Sequence, residues 1–265
     1  MDEKLSDSVA HLELKLEADG DYFNYHKSSI LQGVIMQEIR SEYAEMLHEQ
    51  GLKPYSQYLE QDGKVITWHI KTLTETATRE IIEPLLKDSF SEFYMEHDDQ
   101  KVIVKNKCLK KERISDFLEE FYEALAERYL NLEFVTPTAF KKNGKYCFFP
   151  EIYNIYYSCM KKFDIASVDY VMFNEDTLEQ LVEASEITSY SLHSVRFSME
   201  GVKIPAFMGR ITISVRGNQT LQNFARLLLR FGEYSGIGIK TAMGMGAVRL
   251  GKRSREDQAS DRKRV

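Results

Sequence analysis

The chain has 265 residues, 43% of them hydrophobic and 29% charged, and a formal net charge of −6. That length supports two modest domains with buried cores, and the composition is that of a globular protein. With no apolar run of about 18 residues and a polar, acidic start, a membrane span and a secretory signal are not expected, and a cytoplasmic location is.

Residues 11–17 alternate Leu12, Leu14 and Leu16 with polar side chains, the period of a half-buried strand. Ser28 or Ser29 suits the cap of a helix whose apolar face is Leu31, Val34, Ile35 and Ile39. A second short helix is expected from Ser41 through His48, with Gly51 in its C-terminal turn. Two β-prone runs, 55–59 and 64–70, meet across Asp62-Gly63, a hairpin signal. Residues 76–87 read as a helix interrupted at Pro84, and 91–95 and 101–105 as strands around a turn at Asp98-Asp99. This β-α-β-β-α-β order is that of a ferredoxin-like (RRM-like) unit.

The second half repeats it. Residues 114–130 read as an amphipathic helix that links the units, followed by a strand at 132–136, a turn at Asn143-Gly144 and a strand through Phe149. A Tyr-rich helix at 151–163 and another at 177–184 precede strands at 194–199 and 207–215, a helix at 220–234 and a last strand at 247–250. The expected fold is therefore α+β, two tandem ferredoxin-like βαββαβ domains at 1–110 and 111–250, with a disordered basic tail at 251–265.

Charge is unevenly spread. From residue 203 onward thirteen basic residues face only Glu233, Glu256, Asp257 and Asp261, a local net charge of +9 that leaves −15 on the rest. A local positive field attracts phosphate whatever the distant charge, because screening acts within about 8 Å. Arg210 through Arg249 lie within expected structure rather than in the tail. Lys101, Lys105 and Lys107 fall on one face of a strand, as a solvated face or as phosphate contacts, and Arg196 and Arg210 are alternative contacts.

The stretch from Gly232 to Gly246 holds five of the fourteen glycines, between a helix and the last strand. Glycine lets backbone N–H groups approach an anion, and consecutive N–H groups form a concave anion site. Gly236, Gly238, Gly244 and Gly246, with the charge of Lys240 and the hydroxyl of Thr241, are the expected anion-binding residues; tight packing of a turn is the plainer alternative. Ile239 separates Gly238 from Lys240 and the helix precedes the loop, so this is not a P-loop, and no Rossmann spacing follows a strand.

The run LLLRFGEYSGIGIKTAMGMGAV resembles the C-terminal motif of the CRISPR-associated endoribonucleases of the Cas-six family, in the repeat-associated protein superfamily. LEFVTPTAFKKNGKYCFFP at 132–150, YHKSSILQGVIMQEI and LHEQGLKPY resemble the same family in the same order, over nearly all of residues 10–250. The resemblance implies tandem ferredoxin-like domains, binding of CRISPR repeat RNA in precursor and mature guide form, and cleavage without metal that leaves a 2′,3′-cyclic phosphate and a 5′-hydroxyl. It leaves open subunits of a CRISPR effector complex and a homodimer as partners. It also leaves open a repeat-binding protein without cleavage, or a structural subunit of an RNA-guided complex.

Such cleavage needs a base, an acid and a positive charge beside the phosphorane, roles that suit histidine and lysine. The Leu-His-x-x-Gly context, with a lysine just after it, gives those roles by resemblance to His48 and Lys53; as residues alone, His48 equally suits a helix C-terminal cap. Some relatives carry a tyrosine where this chain has Met36, so either His48 works with Lys53 alone or Tyr43, Tyr55 or His26 substitutes. His26, just before the first helix, is the main rival to His48. His69 reads as a paired strand histidine, and His11, His97 and His193 have no supporting partners. The three cysteines, Cys108, Cys147 and Cys159, contain no Cys-x-x-Cys pair and read as free thiols. No local metal-ligand spacing occurs, so neither a metal site nor a cofactor is expected.

Overall fold

The alternating leucines form β1 (Ser8–Ala18), with Leu12, Leu14 and Leu16 buried on one face. The computed structural model describes residues 8–18, 23–49, 51–95, 98–167, 169–199 and 201–251; His97 and the tail at 252–265 lie outside them. A 3₁₀ turn, Tyr25–Lys27, leads into α1 (Ser28–Glu38), then α2 (Ser41–Glu49). The expected face of Leu31, Val34, Ile35 and Ile39 is buried. The cap differs: Asn24 accepts from the His26 amide at the start of the 3₁₀ turn, while the Ser28 hydroxyl accepts the Leu59 amide at 3.1 Å. That ties the helix to β2 (Tyr55–Asp62), which forms a hairpin with β3 (Val65–Thr72).

Pro84 breaks the next helix as expected. A short α3 (Glu75–Ala77) widens into a π turn, Thr78–Ile82, before α4 (Glu83–Leu86). A proline ring collides with the carbonyl four residues earlier, and the wider turn makes room for it. β4 (Glu92–Met95) and β5 (Gln100–Arg113) complete an antiparallel sheet ordered β2-β3-β1-β5-β4.

The linking helix is shorter than its pattern suggests. α5 (Ile114–Glu123) stops because Asn223 donates its amide to the carbonyls of Phe121 and Ala124, each at 2.9 Å, capping the helix from outside. Leu130 belongs instead to β6 (Tyr129–Thr138), opposite Ile213. β7 (Phe140–Lys142) and β8 (Lys145–Cys147) form a small hairpin about Asn143-Gly144. Then come α6 (Ile152–Ala166), α7 (Glu175–Ala184), β9 (Ser185–Met199), β10 (Val202–Val215), α8 (Gln219–Ser235), a 3₁₀ turn at Thr241–Met243 and β11 (Val248–Gly251). The second sheet is ordered β11-β6-β10-β9.

Counted within each half, the strand order is that of a ferredoxin-like unit, with β4 added at one edge of the first. The two units pack on each other. α8 reaches the first sheet from the face opposite α1, where the Ser56 hydroxyl donates to the Tyr234 carbonyl at 2.6 Å and Lys71 to the Glu233 carbonyl at 2.5 Å. Val9 accordingly packs into the second core beside Phe117, while its neighbour Ala10 packs into the first.

Candidate functional site

The glycine-rich segment leaves α8 at Gly236, whose φ of 65° turns the chain, and threads between the two units. Most of its amides have partners inside the protein. Ile237 donates to the Gly246 carbonyl at 2.8 Å, Gly238 to the Ser158 hydroxyl at 2.9 Å, Ile239 to the Ala139 carbonyl at 3.0 Å and Gly246 to the Pro137 carbonyl at 2.9 Å. Met243, Gly244 and Met245 close turns on Lys240 and Thr241. Among the described residues, the amides of Lys240, Thr241 and Ala242 are those this scheme leaves over.

Close approach explains much of the glycine content. Gly244 has a φ of 100°, and a Cβ there would overlap the Ser28 side chain. Gly236, Thr241, Gly244 and Gly246 are buried, whereas Gly238 is half-buried and Lys240 exposed with a φ of 54°. The surface offered to a ligand is therefore narrower than five glycines suggest: it centres on Gly238, Ile239, Lys240 and Met243.

Beneath it lies a lysine that the sequence reading did not single out. Lys162 on α6 is 4% exposed, and its ammonium donates to the carbonyls of Gly236 at 3.0 Å, Gly238 at 3.1 Å and Ser235 at 3.3 Å. Thr241 Oγ1 lies 3.5 Å away, so the threonine hydroxyl faces inward. Burial pushes Lys162 down to about 7, and only the neighbouring Cys159 thiol works against that push. The loop thus has its carbonyls turned in on a buried nitrogen and Lys240 turned out.

The first unit meets this surface at the end of α2. Gly51, Leu52 and Lys53 share a cleft with Lys141 and Tyr146 of the β7–β8 hairpin and with the loop from Gly238 to Met243. Lys53 donates to the Leu47 carbonyl, so its ammonium lies against the last turn of α2, the turn that carries exposed His48. Partial burial lowers the Lys53 pKa. Lys53, Lys141 and Lys240 therefore converge from three separate elements. Lys141 went unnoticed in the sequence because only the fold of the hairpin brings it over the loop.

Other candidates fall elsewhere. His26 packs against β9, its ring stacked on Phe197 at 5.9 Å and its Nδ1 accepting the Ser198 amide at 3.4 Å; burial lowers its pKa. Tyr43 and Tyr55 lie in the first core at 6% and 1% exposure, and burial raises both hydroxyls, that of Tyr43 to about 12. Neither ring reaches the cleft surface. Met36 packs against the same core.

The expected basic face is also occupied. Lys101 pairs with Glu92 at 2.8 Å, Lys105 with Glu17 at 3.1 Å, and Lys107 donates to the carbonyls of Leu85 and Lys87. Arg210 pairs with Glu133, Arg216 with Glu186, Arg226 with Glu120 and Glu127, Arg230 with Glu112 and Glu120, and Arg249 with Glu60 and Glu133. Among the described residues from 203 onward, five of the seven basic side chains are thus matched by acids from elsewhere in the chain. Arg196 and Lys240 are exposed and have no ion-pair partner among the described residues.

Two ferredoxin-like units joined by a buried glycine-rich strap, with a lysine-lined cleft at their junction, define the class: a tandem ferredoxin-like protein with a basic cleft. Comparison with known proteins sharpens this. Residues 132–248 match the family described as CRISPR-associated endoribonuclease Cas6. A CRISPR-associated endoribonuclease Cas6 of Mycobacterium tuberculosis is 32% identical over 253 residues, covering 94% of this chain and 80% of the relative. One from Streptococcus thermophilus is 34% identical over 221 residues, covering 83% and 90%. Among solved structures, a Cas6 product complex superposes with a TM-score of 0.76 at 19% identity, covering 92% of this chain and 100% of the other. Thermus thermophilus Cas6 superposes with a TM-score of 0.68 at 19% identity, covering 93% and 99%. The chain belongs to the CRISPR-associated endoribonuclease Cas6 family.

Proposed function

We propose that this protein is an endoribonuclease that binds CRISPR repeat RNA and cuts the precursor transcript within the repeat, without a metal ion. The 2′-hydroxyl attacks the adjacent phosphorus, the P–O5′ bond breaks, and the products carry a 2′,3′-cyclic phosphate and a 5′-hydroxyl. His48 moves a proton, as base for the 2′-hydroxyl or acid for the departing 5′-oxygen. Lys53 neutralises charge on the phosphorane, and Lys240, Lys141, Gly238 and the amides at 240–242 hold the backbone.

The observation that carries this reading is the cleft itself: Lys53 of the first unit and Lys141 and Lys240 of the second face one another at the end of the helix bearing His48. A phosphodiester backbone is the ligand that three converging cations and free amides suit best. Tyr43 and Tyr55 are buried, so neither stands in for the tyrosine that some relatives carry at the Met36 position. Arg196, exposed on β9, is a further backbone contact outside the cleft.

The test is a repeat-RNA cleavage assay in EDTA with analysis of the ends. Chelator-resistant cutting to a cyclic phosphate, lost in His48→Ala and in Lys53→Ala, supports the assignment. Tight binding without cutting by the unaltered protein would instead make it a repeat-binding protein. Loss of cutting in His26→Ala with activity retained in His48→Ala would move the proton transfer to the other histidine.

A further inference from the structure

Away from the cleft, on the sheet face covered by α8, three side chains from two neighbouring strands converge. β1 and β3 run antiparallel with Glu13 opposite His69 and His11 opposite Lys71. Residues two apart on a strand share a face, so His11, Glu13, His69 and Lys71 lie together. His11 Nε2 is 2.9 Å from His69 Nδ1 and 3.8 Å from Glu13 Oε1, and the three donor atoms lie within 4.8 Å of one another.

We propose that His11, His69 and Glu13 form a binding site for a zinc-class divalent ion at the seam between the two units. Two imidazole nitrogens bound to tetrahedral zinc at about 2.0–2.1 Å stand roughly 3.4 Å apart, so this pair needs to open by only about half an ångström. Glu13 closes a third position, and its 25% exposed side chain leaves the fourth side of the site open to water. Two imidazoles and one carboxylate favour zinc or a similar transition ion over magnesium or calcium, which take oxygen ligands.

The surroundings orient the ligands. The other nitrogen of His69, Nε2, lies 3.4 Å from Glu60 Oε2, within ion-pair reach though not in hydrogen-bond geometry, and Arg249 holds that carboxylate at 3.0 and 3.2 Å. A carboxylate there draws the ring proton to Nε2 and leaves the lone pair of Nδ1 pointing at His11, the tautomer that ligation needs. Tyr58 stacks on His69 at 4.4 Å and restricts its rotation, and the Tyr234 ring meets His11 edge-on at 6.5 Å.

Lys71, Lys110 (opposite His11 on β5) and Arg249 oppose a cation here. The Lys71 ammonium is tied to the Glu233 carbonyl and lies 5.1 Å from the Tyr58 ring. Against these three stand the carboxyl groups of Glu13, Glu60 and Glu233. The site is built by strand register, which no local sequence spacing reveals. It is independent of the cleavage proposal, since none of its residues lines the cleft.

The experiment uses the full chain, stripped with a chelator and dialysed, and titrated with Zn²⁺ by calorimetry and with Co²⁺ by visible absorption. One ion per chain is expected, with a tetrahedral-type Co²⁺ spectrum and a higher Tm in zinc. His11→Asn and His69→Asn should abolish both signals, and Glu60→Gln should weaken affinity by about 10–100-fold. His193→Asn, on an exposed part of β9, should change nothing. Circular dichroism of each variant without metal separates lost binding from lost folding. If a variant fails to fold, zinc protection of His69 from diethylpyrocarbonate in the unaltered protein decides instead. No stoichiometric uptake, or uptake unchanged in folded His11→Asn and His69→Asn, would overturn the proposal.

Discussion

Replacing Lys162 by methionine keeps the length of the side chain and removes every hydrogen it donates. Gly236 O retains the Ser235 hydroxyl at 2.9 Å, so Ser235 O and Gly238 O are the two acceptors that lose a donor under the loop. A buried acceptor without a partner costs about 1–3 kcal/mol, giving about 2–6 kcal/mol for the pair. Relief from burying a basic nitrogen works the other way and brings the expected loss to about 2–3 kcal/mol, or about 4–12 °C in Tm for a chain of this size. The loss should grow with pH. Lys162 titrates near 7 when folded and at 10.5 ordinarily, so between those values the unfolded chain holds more protons. The unaltered protein therefore gains stability from this group as pH rises through that window, by up to about 1.4 kcal/mol per unit, and the methionine variant does not. Urea denaturation of both proteins at pH 7 and pH 9 measures the two gaps. Equal stability at both values, or a gap that narrows as pH rises, would refute the reasoning.

Other outcomes follow from the same geometry. His48→Ala should lower single-turnover cleavage of repeat RNA by about 10²–10⁴-fold with little change in binding by filter assay. Lys240→Ala and Lys141→Ala should each weaken single-stranded RNA binding and reduce the slope of log affinity against log salt by about 0.7. Gly244→Ala should destabilise the fold by about 2–4 kcal/mol, from positive φ and overlap with Ser28. Adding Ser28→Gly should recover the overlap part only, as read by thermal melting of the single and double variants.

The fold was legible because local signals agreed with the global one. Leu12, Leu14 and Leu16, the Asn143-Gly144 turn and the helix face of Leu31, Val34 and Ile35 all emerge as read. The extent of α5 was not legible, because its end is set by Asn223, a hundred residues away in sequence. The reach of the charge argument is narrowed for a related reason. Arg210, Arg226, Arg230 and Arg249 do lie in structure, but their acidic partners come from segments that folding brings beside them. Near the cleft, Lys240 stood out for its glycines and Lys53 for the family resemblance. Lys162 and Lys141 gave no such signal, since a lysine in a helix or a hairpin looks the same whether it faces water or a loop. The pairing of His11 with His69 depends on strand register in the same way.

The glycine strap also bears on how this chain folds. Ala242 is counted in the core of the first unit, and Gln57 of β2 donates to its carbonyl at 3.1 Å while Gly244 lies against Ser28. The amino-terminal unit is thus finished by residues translated well after it, Ala242 lying 185 positions beyond Gln57. On the ribosome it waits as an incomplete sheet-and-helix layer until the glycine strap emerges. A fragment ending after β5 would expose the slot between α1 and β2 and should be recovered as an aggregating or partly ordered species rather than as an independent domain.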